Sequence, residues 1–249
     1  MSEIIQSLWI GTSLSKVEQL SIKSFIDNGH EYHLYVYNPV ENIPEGTIIK
    51  DANEILPESE IFTYKSGSYS AFANYFRFTL LYLKGGYWVD TDLVCIKKFN
   101  FKQPIVVASE PHKYYKRQNI TSFLIKLPKG SEEAKRGIEI QKEHKVKILT
   151  GEIKWASGNK TVIQIVNEFN LQKYIVPWKN FCSCSWQDAE SLINENYKCR
   201  GYNNINNLPK ELYGIHLWNE VWRRLNIDKN KKYSDLCLFE QLKLKYNIH

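Results

Sequence analysis

The sequence of 249 residues has no long apolar run and no targeting signal. No window approaches the roughly eighteen consecutive apolar residues that a membrane-spanning helix needs. Residues 1–6 lack the basic stretch and apolar core of a secretory signal peptide. We therefore expect a cytoplasmic protein without a spanning segment.

Cysteine is scarce, with five residues. An odd number in a chain expected to be cytoplasmic argues against a disulfide framework. Cys182, Cys184 and Cys199 are close in sequence, but no fourth ligand stands at a standard zinc spacing. We therefore expect buried, reduced thiols.

Several catalytic patterns are also missing. No GxGxxG motif follows the first expected strand, which excludes the usual dinucleotide fingerprint. Residues 11–14, at that place, are poor in glycine and lysine, which counts against a nucleotidyltransferase. No Ser-His-Asp or Cys-His arrangement can be identified.

The composition is basic and aromatic. The formal net charge is +6, and residues 223–249 hold seven Lys or Arg against three acids. This excess fits attraction to phosphates or to an anionic membrane surface, or it is a solvated face. Without a recognition motif it does not indicate a nucleic-acid partner. Seven Trp and sixteen Tyr suit sugar and nucleobase platforms as well as a core of large side chains.

Apolar periodicity predicts alternating strands and helices. Residues 4–10 and 31–37 are expected as strands, and Ser15 with Glu18 forms a capping box for a helix between them. Strand, helix and strand with short links open a Rossmann-like parallel sheet. Further helices are expected over residues 70–84, 132–148, 161–169 and 234–246. Further strands are expected over residues 87–96, 104–109, 120–127, 173–176 and 213–218.

Two carboxylates interrupt the strand expected over residues 87–96. In an extended chain Asp90 and Asp92 point the same way, and close carboxylates repel unless a cation or proton lies between them. A divalent cation would also offset the cost of charge in an apolar run. Hard oxygen ligands favour Mg²⁺ or Mn²⁺, which bind phosphates as their remaining ligands. The alternative is a strand end with two exposed acids.

The geometry of the chain predicts a basic partner for this pair. Arg77 precedes Gly85 by about 12 Å of helix, and Asp90 follows Gly86 by about 13 Å of strand. A reversal at the two glycines would place Arg77 beside Asp90. Asn74 lies one helical turn away on the same side. On geometry alone, a plain salt bridge explains Arg77 equally well.

Residues 71–77, 80–82 and 85–92 resemble the sugar-transferase region with the D-x-D motif of glycosyltransferase family 32. Residues 5–11 resemble the family's first strand, and residues 216–219 resemble its C-terminal His motif. The order and spacing are similar to those of the bacterial capsule and lipopolysaccharide branch.

The resemblance implies a fold and a domain organisation. We expect a single GT-A type α/β domain over residues 1–249, with a Rossmann-like mixed sheet flanked by helices. Residues 1–110 would form the nucleotide-sugar-binding half. Residues 111–249 would form the acceptor half and a basic C-terminal helix.

The resemblance also implies roles for individual residues. Asp92 would bind the metal directly, Asp90 the metal or the ribose, and His216 the metal or the diphosphate. Arg77 and Asn74 would contact the donor sugar, with Asn74 in place of the family's usual Asp. The nucleotide-sugar site would consist of Leu8, Trp9, Asn74, Arg77, Asp90, Ser157, Gly158 and Trp218.

The residue types by themselves leave alternatives open for part of this set. Trp9 and Trp218 are equally explained as core aromatics, and His216 as a satisfied core histidine. Ser157 and Gly158 would equally form an ordinary helix cap.

The implied reaction transfers a sugar, expected from a UDP-linked hexose or N-acetylhexosamine, to a glycan or lipid-linked oligosaccharide acceptor. Retention of configuration is expected, with Mn²⁺ or Mg²⁺ bridging the phosphates, in capsule or lipopolysaccharide biosynthesis. Asp188 and Glu190 are unassigned acids that an inverting mechanism would recruit as base. The alternatives are a nucleotidyltransferase and a catalytically inactive carbohydrate-binding homologue. Peripheral contact with an anionic membrane is expected from the basic tail.

Overall fold

The computed structural model describes residues 4–112, 118–155, 158–196 and 204–249. The strands are β1 (Ile5–Trp9), β2 (Tyr32–Val36), β3 (Ile48–Asp51), β4 (Gly86–Val89), β5 (Leu93–Cys95), β6 (Val106–Pro111), β7 (Gln118–Leu127) and β8 (Gly214–His216). The α-helices are α1 (Lys16–Asp27), α2 (Ser70–Lys84), α3 (Glu132–Leu149), α4 (Gly158–Glu168), α5 (Asn219–Arg224) and α6 (Leu238–Lys245).

Six strands form one mixed sheet in the order β3-β2-β1-β4-β7-β6. The neighbours from β3 to β4 pair in parallel, whereas β7 pairs antiparallel with both β4 and β6. A separate antiparallel pair joins β5 to β8. The predicted mixed sheet with flanking helices is confirmed.

The start of the fold follows local sequence signals. Glu18 accepts the Ser15 N–H at 2.8 Å and the Ser15 hydroxyl accepts the Val17 N–H at 3.3 Å, so the predicted capping box opens α1. After α1 the chain turns at Gly29, whose φ of 78° lies in the left-handed region that glycine adopts without strain. The chain can therefore return directly into β2.

Apolar side chains cover both faces of the sheet. From β2, Tyr32 and Leu34 pack into the core that also contains α1 and α6, whereas Tyr35 packs on the side of α2, α3 and α4. Because helices cover both faces, all five residues of β2 are buried. The two cores leave the carboxyl ends of β1 and β4 at one edge, where the site lies.

The strand predicted over residues 87–96 is wrong as a single element. It divides into β4, in the main sheet, and β5, which pairs with β8. A turn separates them, in which the Leu93 N–H donates to the Asp90 carbonyl at 3.2 Å. Asp90 and Asp92 therefore do not share the face of one extended strand. Because β5 pairs with β8 outside the main sheet, the chain turns between β4 and β5.

Two later elements also differ from prediction. Residues 173–176 form no strand; the 3₁₀ turn Gln172–Tyr174 is followed by a single bridge between Ile175 and Val107. The last helix begins at Leu238 rather than Ser234, because the Ser234 carbonyl accepts the Cys237 N–H at 3.0 Å and closes a turn before it.

The described helices and cysteines bear on two expectations from the sequence, namely the spanning segment and the buried thiols. Within the described ranges, every helix is too short or too polar to cross a membrane. Cys95, Cys182, Cys184 and Cys237 are buried, as predicted. Cys199 lies outside the described residues.

Candidate active site

A cavity of about 550 Å³ opens at the carboxyl ends of β1 and β4. Its volume falls within the range of about 300–1,000 Å³ that is usual for small-molecule sites. Leu8, Trp9, Asn74, Arg77, Asp90 and Asp92 line it, as does Gly158 at the start of α4. Most of the predicted site residues are thus brought together, and they come from both of the predicted halves of the chain.

Arg77 lies beside Asp90, which confirms the predicted reversal. The Arg77 Nη2 donates to Asp90 Oδ1 at 2.8 Å, and the Trp88 indole N–H donates to the same oxygen at 2.7 Å. The guanidinium also lies 4.9 Å from the centre of the Trp88 ring, so the indole holds it from a second side. The two hydrogen bonds to Oδ1 hold the Asp90 carboxylate in one orientation.

The rest of the Arg77 guanidinium is unsatisfied. Its Nε and Nη1 are buried and have no hydrogen-bond partner among the described residues. Buried donors without partners are costly, which is why they are rare in folded proteins. As a residue of the cavity lining, Arg77 brings a positive charge that favours an anionic ligand.

Asp92 is held by the C-terminal part of the chain. Its Oδ2 accepts the Asn219 N–H at 2.8 Å and lies 3.3 Å from His216 Nε2. Burial would raise the pKa of Asp92, but the charge and hydrogen bond of His216 and the Asn219 N–H lower it below its usual value. Asp92 is therefore ionised at neutral pH.

His216 is the charged partner of Asp92. Burial would lower the pKa of His216, but the charge of Asp92 and its hydrogen bond raise it. The ring stacks on Phe123 with 4.3 Å between centroids and contacts Trp218 at 4.2 Å. A protonated imidazole in this position donates to Asp92 and has no lone pair for a cation.

The two carboxylates fit a divalent cation of the Mg²⁺ or Mn²⁺ type. Such ions are commonly held by one or two carboxylates, with substrate phosphates completing the shell. Asp90 and Asp92 both line the cavity, and the side-chain contacts described above use Oδ1 of Asp90 and Oδ2 of Asp92. No cluster of three metal-ligating side chains occurs in the part of the chain that the structure describes. The role of His216 as a metal ligand stays a prediction.

Gly158 lets α4 approach Asn74 closely. A Cβ at position 158 would lie 2.5 Å from Asn74 Oδ1 and 2.8 Å from Ser122 Oγ. Next to it, Asn159 Oδ1 accepts the Ser122 N–H at 3.0 Å, which fixes the start of α4 on β7. Gly158 thus shapes the cavity beside Asn74. Ser157 lies outside the described residues.

The two predicted tryptophans occupy different positions. Trp9 lines the cavity, and its buried indole N–H has no partner among the described residues. Trp218, only 6 % exposed, is absent from the described lining and packs against His216. Its direct contact with a nucleotide stays a prediction.

Other residues of the cavity were not predicted from the sequence. Asn219, Glu220, Arg223 and Lys229 come from the C-terminal segment, and Tyr69 and Trp155 lie at the start of α2 and before α4. The sequence signals for them were the basic tail, the abundance of aromatic residues and, for Asn219, the resemblance of residues 216–219 to the His motif. None of these signals specifies which residue reaches the cavity.

Comparison with known proteins identifies one region of the chain. Residues 15–110 match the family described as "Glycosyltransferase sugar-binding region containing DXD motif". None of the functionally curated proteins matches the sequence. The matched region includes α2, Asp90 and Asp92.

Two solved structures are distantly similar. The PaToxG glycosyltransferase is 16 % identical, with a TM-score of 0.48 over 70 % of this chain and 74 % of that chain. The apo-form glycosyltransferase GlyE of Streptococcus pneumoniae TIGR4 is 12 % identical, with a TM-score of 0.44 over 100 % of this chain and 64 % of that chain. The family match over residues 15–110 is the comparison that bears on the site.

Proposed function

Because residues 15–110 carry the DXD-containing sugar-binding region of glycosyltransferases, we propose that this chain transfers a sugar from a nucleotide-sugar donor bound at Asp90 and Asp92. The expected glycosyltransferase family is confirmed over that region, whereas the capsule and lipopolysaccharide branch is not. The observation that carries the proposal is that Asp90 and Asp92 both line the cavity, where the buried Arg77 donates to Asp90 Oδ1 at 2.8 Å.

The proposed donor position follows the roles that the resemblance implies for the residues that line the cavity. The base would stack on Trp9 beside Leu8, at the end of β1. The diphosphate would lie at Asp90 and Asp92, where a bound divalent cation would neutralise its charge. The sugar would lie against Asn74 and Arg77.

In the proposed reaction, the bond from the anomeric carbon to the diphosphate oxygen breaks and a bond to the acceptor oxygen forms. The acceptor proton passes to the departing phosphate, and configuration is retained. Asp90, Asp92 and Arg77 would keep the donor in one orientation while charge develops on the leaving group. We propose a UDP-linked hexose or N-acetylhexosamine as donor and a glycan or glycolipid as acceptor.

Donor hydrolysis tests the proposal. A panel of nucleotide sugars is incubated with the protein, with and without Mn²⁺, and release of nucleoside diphosphate is measured. We expect at least one donor to be cleaved in a Mn²⁺-dependent manner. Asp92→Asn, which keeps the shape and can still accept the Asn219 N–H, should lower the rate more than tenfold, since it removes the charge.

Asp235→Ala serves as the control, because Asp235 is exposed and lies outside the described cavity lining. It should hydrolyse the donor at the wild-type rate. Wild-type turnover by a folded Asp92→Asn protein would contradict the carboxylate role. An inactive carbohydrate-binding homologue would release no nucleoside diphosphate from any donor.

A further inference from the structure

Two exposed aromatic side chains that line the cavity have no role assigned to them in the proposed donor site. Trp155 is 52 % exposed and Tyr69 is 42 % exposed, yet both line the cavity that contains Asp90 and Asp92. Large apolar side chains that remain exposed beside a cavity commonly mark a ligand-binding surface. We infer that Trp155 and Tyr69 form the acceptor subsite and bind the terminal sugar ring of a glycan. This inference rests on the proposed function and adds the acceptor's binding place to it.

Trp155 is positioned before any ligand binds. Its ring stacks on Tyr64 with 4.7 Å between centroids and 22° between planes. Tyr64 is itself 3 % exposed, so it anchors one face of the indole in the core. The rest of the indole surface is left for a ligand. A ring held in this way loses little conformational entropy on binding.

The position of Trp155 relative to the donor residues suits an acceptor. Trp155 lies three residues before Gly158, where a Cβ would lie 2.5 Å from Asn74 Oδ1. Asn74 is assigned to the donor sugar, so Trp155 belongs to the segment that borders this sugar, and Tyr69 lines the same cavity. An acceptor ring on Trp155 would therefore lie on the side of the cavity that is assigned to the donor sugar.

The chemistry of this part of the cavity favours a sugar ring. A pyranose has a face of C–H groups that packs on the negative face of an aromatic ring, and hydroxyl groups along its edge. Ser68 and Ser70 line the same part of the cavity, and the Ser68 hydroxyl donates to Ser70 Oγ at 3.2 Å. The Ser70 hydroxyl therefore keeps its own hydrogen for a sugar oxygen. Aromatic faces bordered by hydroxyls match a carbohydrate better than a charged acceptor.

Binding of simple glycosides tests the subsite directly. The probes are p-nitrophenyl glycosides of common hexoses and N-acetylhexosamines, measured by saturation-transfer NMR on the full chain. We expect binding to the wild-type protein, at least tenfold weaker binding to Trp155→Ala, and an intermediate loss in Trp155→Phe, which keeps an aromatic face. Trp186→Ala is the matched control, because Trp186 is 46 % exposed and lies outside the described lining.

A second measurement separates the acceptor subsite from the donor site. With a donor that the wild-type protein cleaves, the ratio of transfer onto a glycoside to hydrolysis should fall at least tenfold in Trp155→Ala. Thermal unfolding of each variant is measured alongside. If Trp155→Ala does not fold, Trp155→Phe is used in its place, and an intermediate fall in the same ratio is expected.

Three results would overturn the inference. They are the absence of glycoside binding by the wild-type protein, equal behaviour of Trp155→Ala and Trp186→Ala, and an equal loss of transfer and hydrolysis in Trp155→Ala. Failure of the proposed function is a different result, because then no nucleotide sugar is cleaved at all. In that case glycoside binding still decides the role of Trp155.

Discussion

Asp90 and Asp92 are two residues apart in sequence but are held by different parts of the molecule. Asp90 accepts hydrogen bonds from Arg77 and Trp88, both within the first hundred residues. Asp92 is held by Asn219 and His216, more than a hundred residues later. The relative position of the two carboxylates therefore depends on both the N-terminal and the C-terminal parts of the chain.

Gly158 provides a test of this geometry at the level of one residue. Alanine there would place its Cβ 2.5 Å from Asn74 Oδ1, so Asn74 must move within the donor site. We predict that Gly158→Ala lowers kcat/KM for donor hydrolysis about tenfold, equivalent to about 1.4 kcal/mol. Lys160→Ala, exposed on the same turn of α4, should behave as wild type. Equal activity of the two variants would show that Asn74 tolerates the displacement.

At the scale of elements, α2 is the helix on which the site depends. It is buried on nearly every side, with Phe72 and Phe76 in the core and Asn74 and Arg77 at the cavity. Helix α3 packs against it. Since α2 carries both core and site residues, its position must be determined by close packing.

Gly137 in α3 makes that packing possible. A Cβ at this position would lie 2.3 Å from the ring of Phe78 in α2, which is 1 % exposed. Alanine favours a helix over glycine by about 1 kcal/mol, but overpacking a core costs about 1–3 kcal/mol. Because the approach to Phe78 is so close, we expect an overpacking cost of about 2–3 kcal/mol. After the gain in helix propensity, Gly137→Ala should lower the free energy of unfolding by about 1–2 kcal/mol.

Urea denaturation measures this change. Lys142→Ala, on the exposed side of α3, is the control and should leave the midpoint nearly unchanged. A Gly137→Ala protein that is as stable as wild type would mean that the helices separate at little cost.

At the scale of the whole molecule, the C-terminal segment closes back onto the first helix. Lys229 Nζ donates to Glu18 at 3.0 Å, and the Asn219 side chain donates to the same oxygen at 3.1 Å. Glu18 is fully buried, so these contacts compensate its charge. Near the chain end, the Tyr246 hydroxyl donates to the Cys95 carbonyl at 2.6 Å. The N-terminal helix and the basic tail are thus one structural unit.

Several positive charges of the tail are already paired with carboxylates of the protein, which reduces the charge available for binding an anionic membrane. Arg223 and Arg224 pair with Glu220, and Lys243 pairs with Glu240. Lys229 belongs to the Glu18 cluster. Reversing its charge would disturb the fold and the cavity as well as any lipid contact.

Peripheral membrane binding remains a prediction with a specific test. We expect the protein to bind vesicles of anionic phospholipid at low salt and to leave them at physiological ionic strength, where charges are screened within about 8 Å. Glutamate at the exposed Lys231 and Lys245 should abolish this binding and leave donor hydrolysis unchanged. If wild-type protein does not bind these vesicles at low salt, the tail is a solvated face.

Local sequence signals were sufficient for much of the fold and for half of the site. The capping box at Ser15, the helix α2 and the proximity of Arg77 to Asp90 were all predicted correctly. Each depends on residues close together in sequence, where helix rise, strand rise and a glycine turn determine the distance. Long-range packing adjusts such features little.

The rest was decided by tertiary structure. Residues 87–96 read as one strand, but β5 leaves the sheet because its partner β8 begins at Gly214, and periodicity carries no information about a partner so distant. The same holds for Asn219 at Asp92 and for Trp155 in the cavity lining. Composition and pattern identify candidate residue types. Only the packing of the whole chain determines which of them share a cavity, because that choice depends on contacts between segments far apart in sequence.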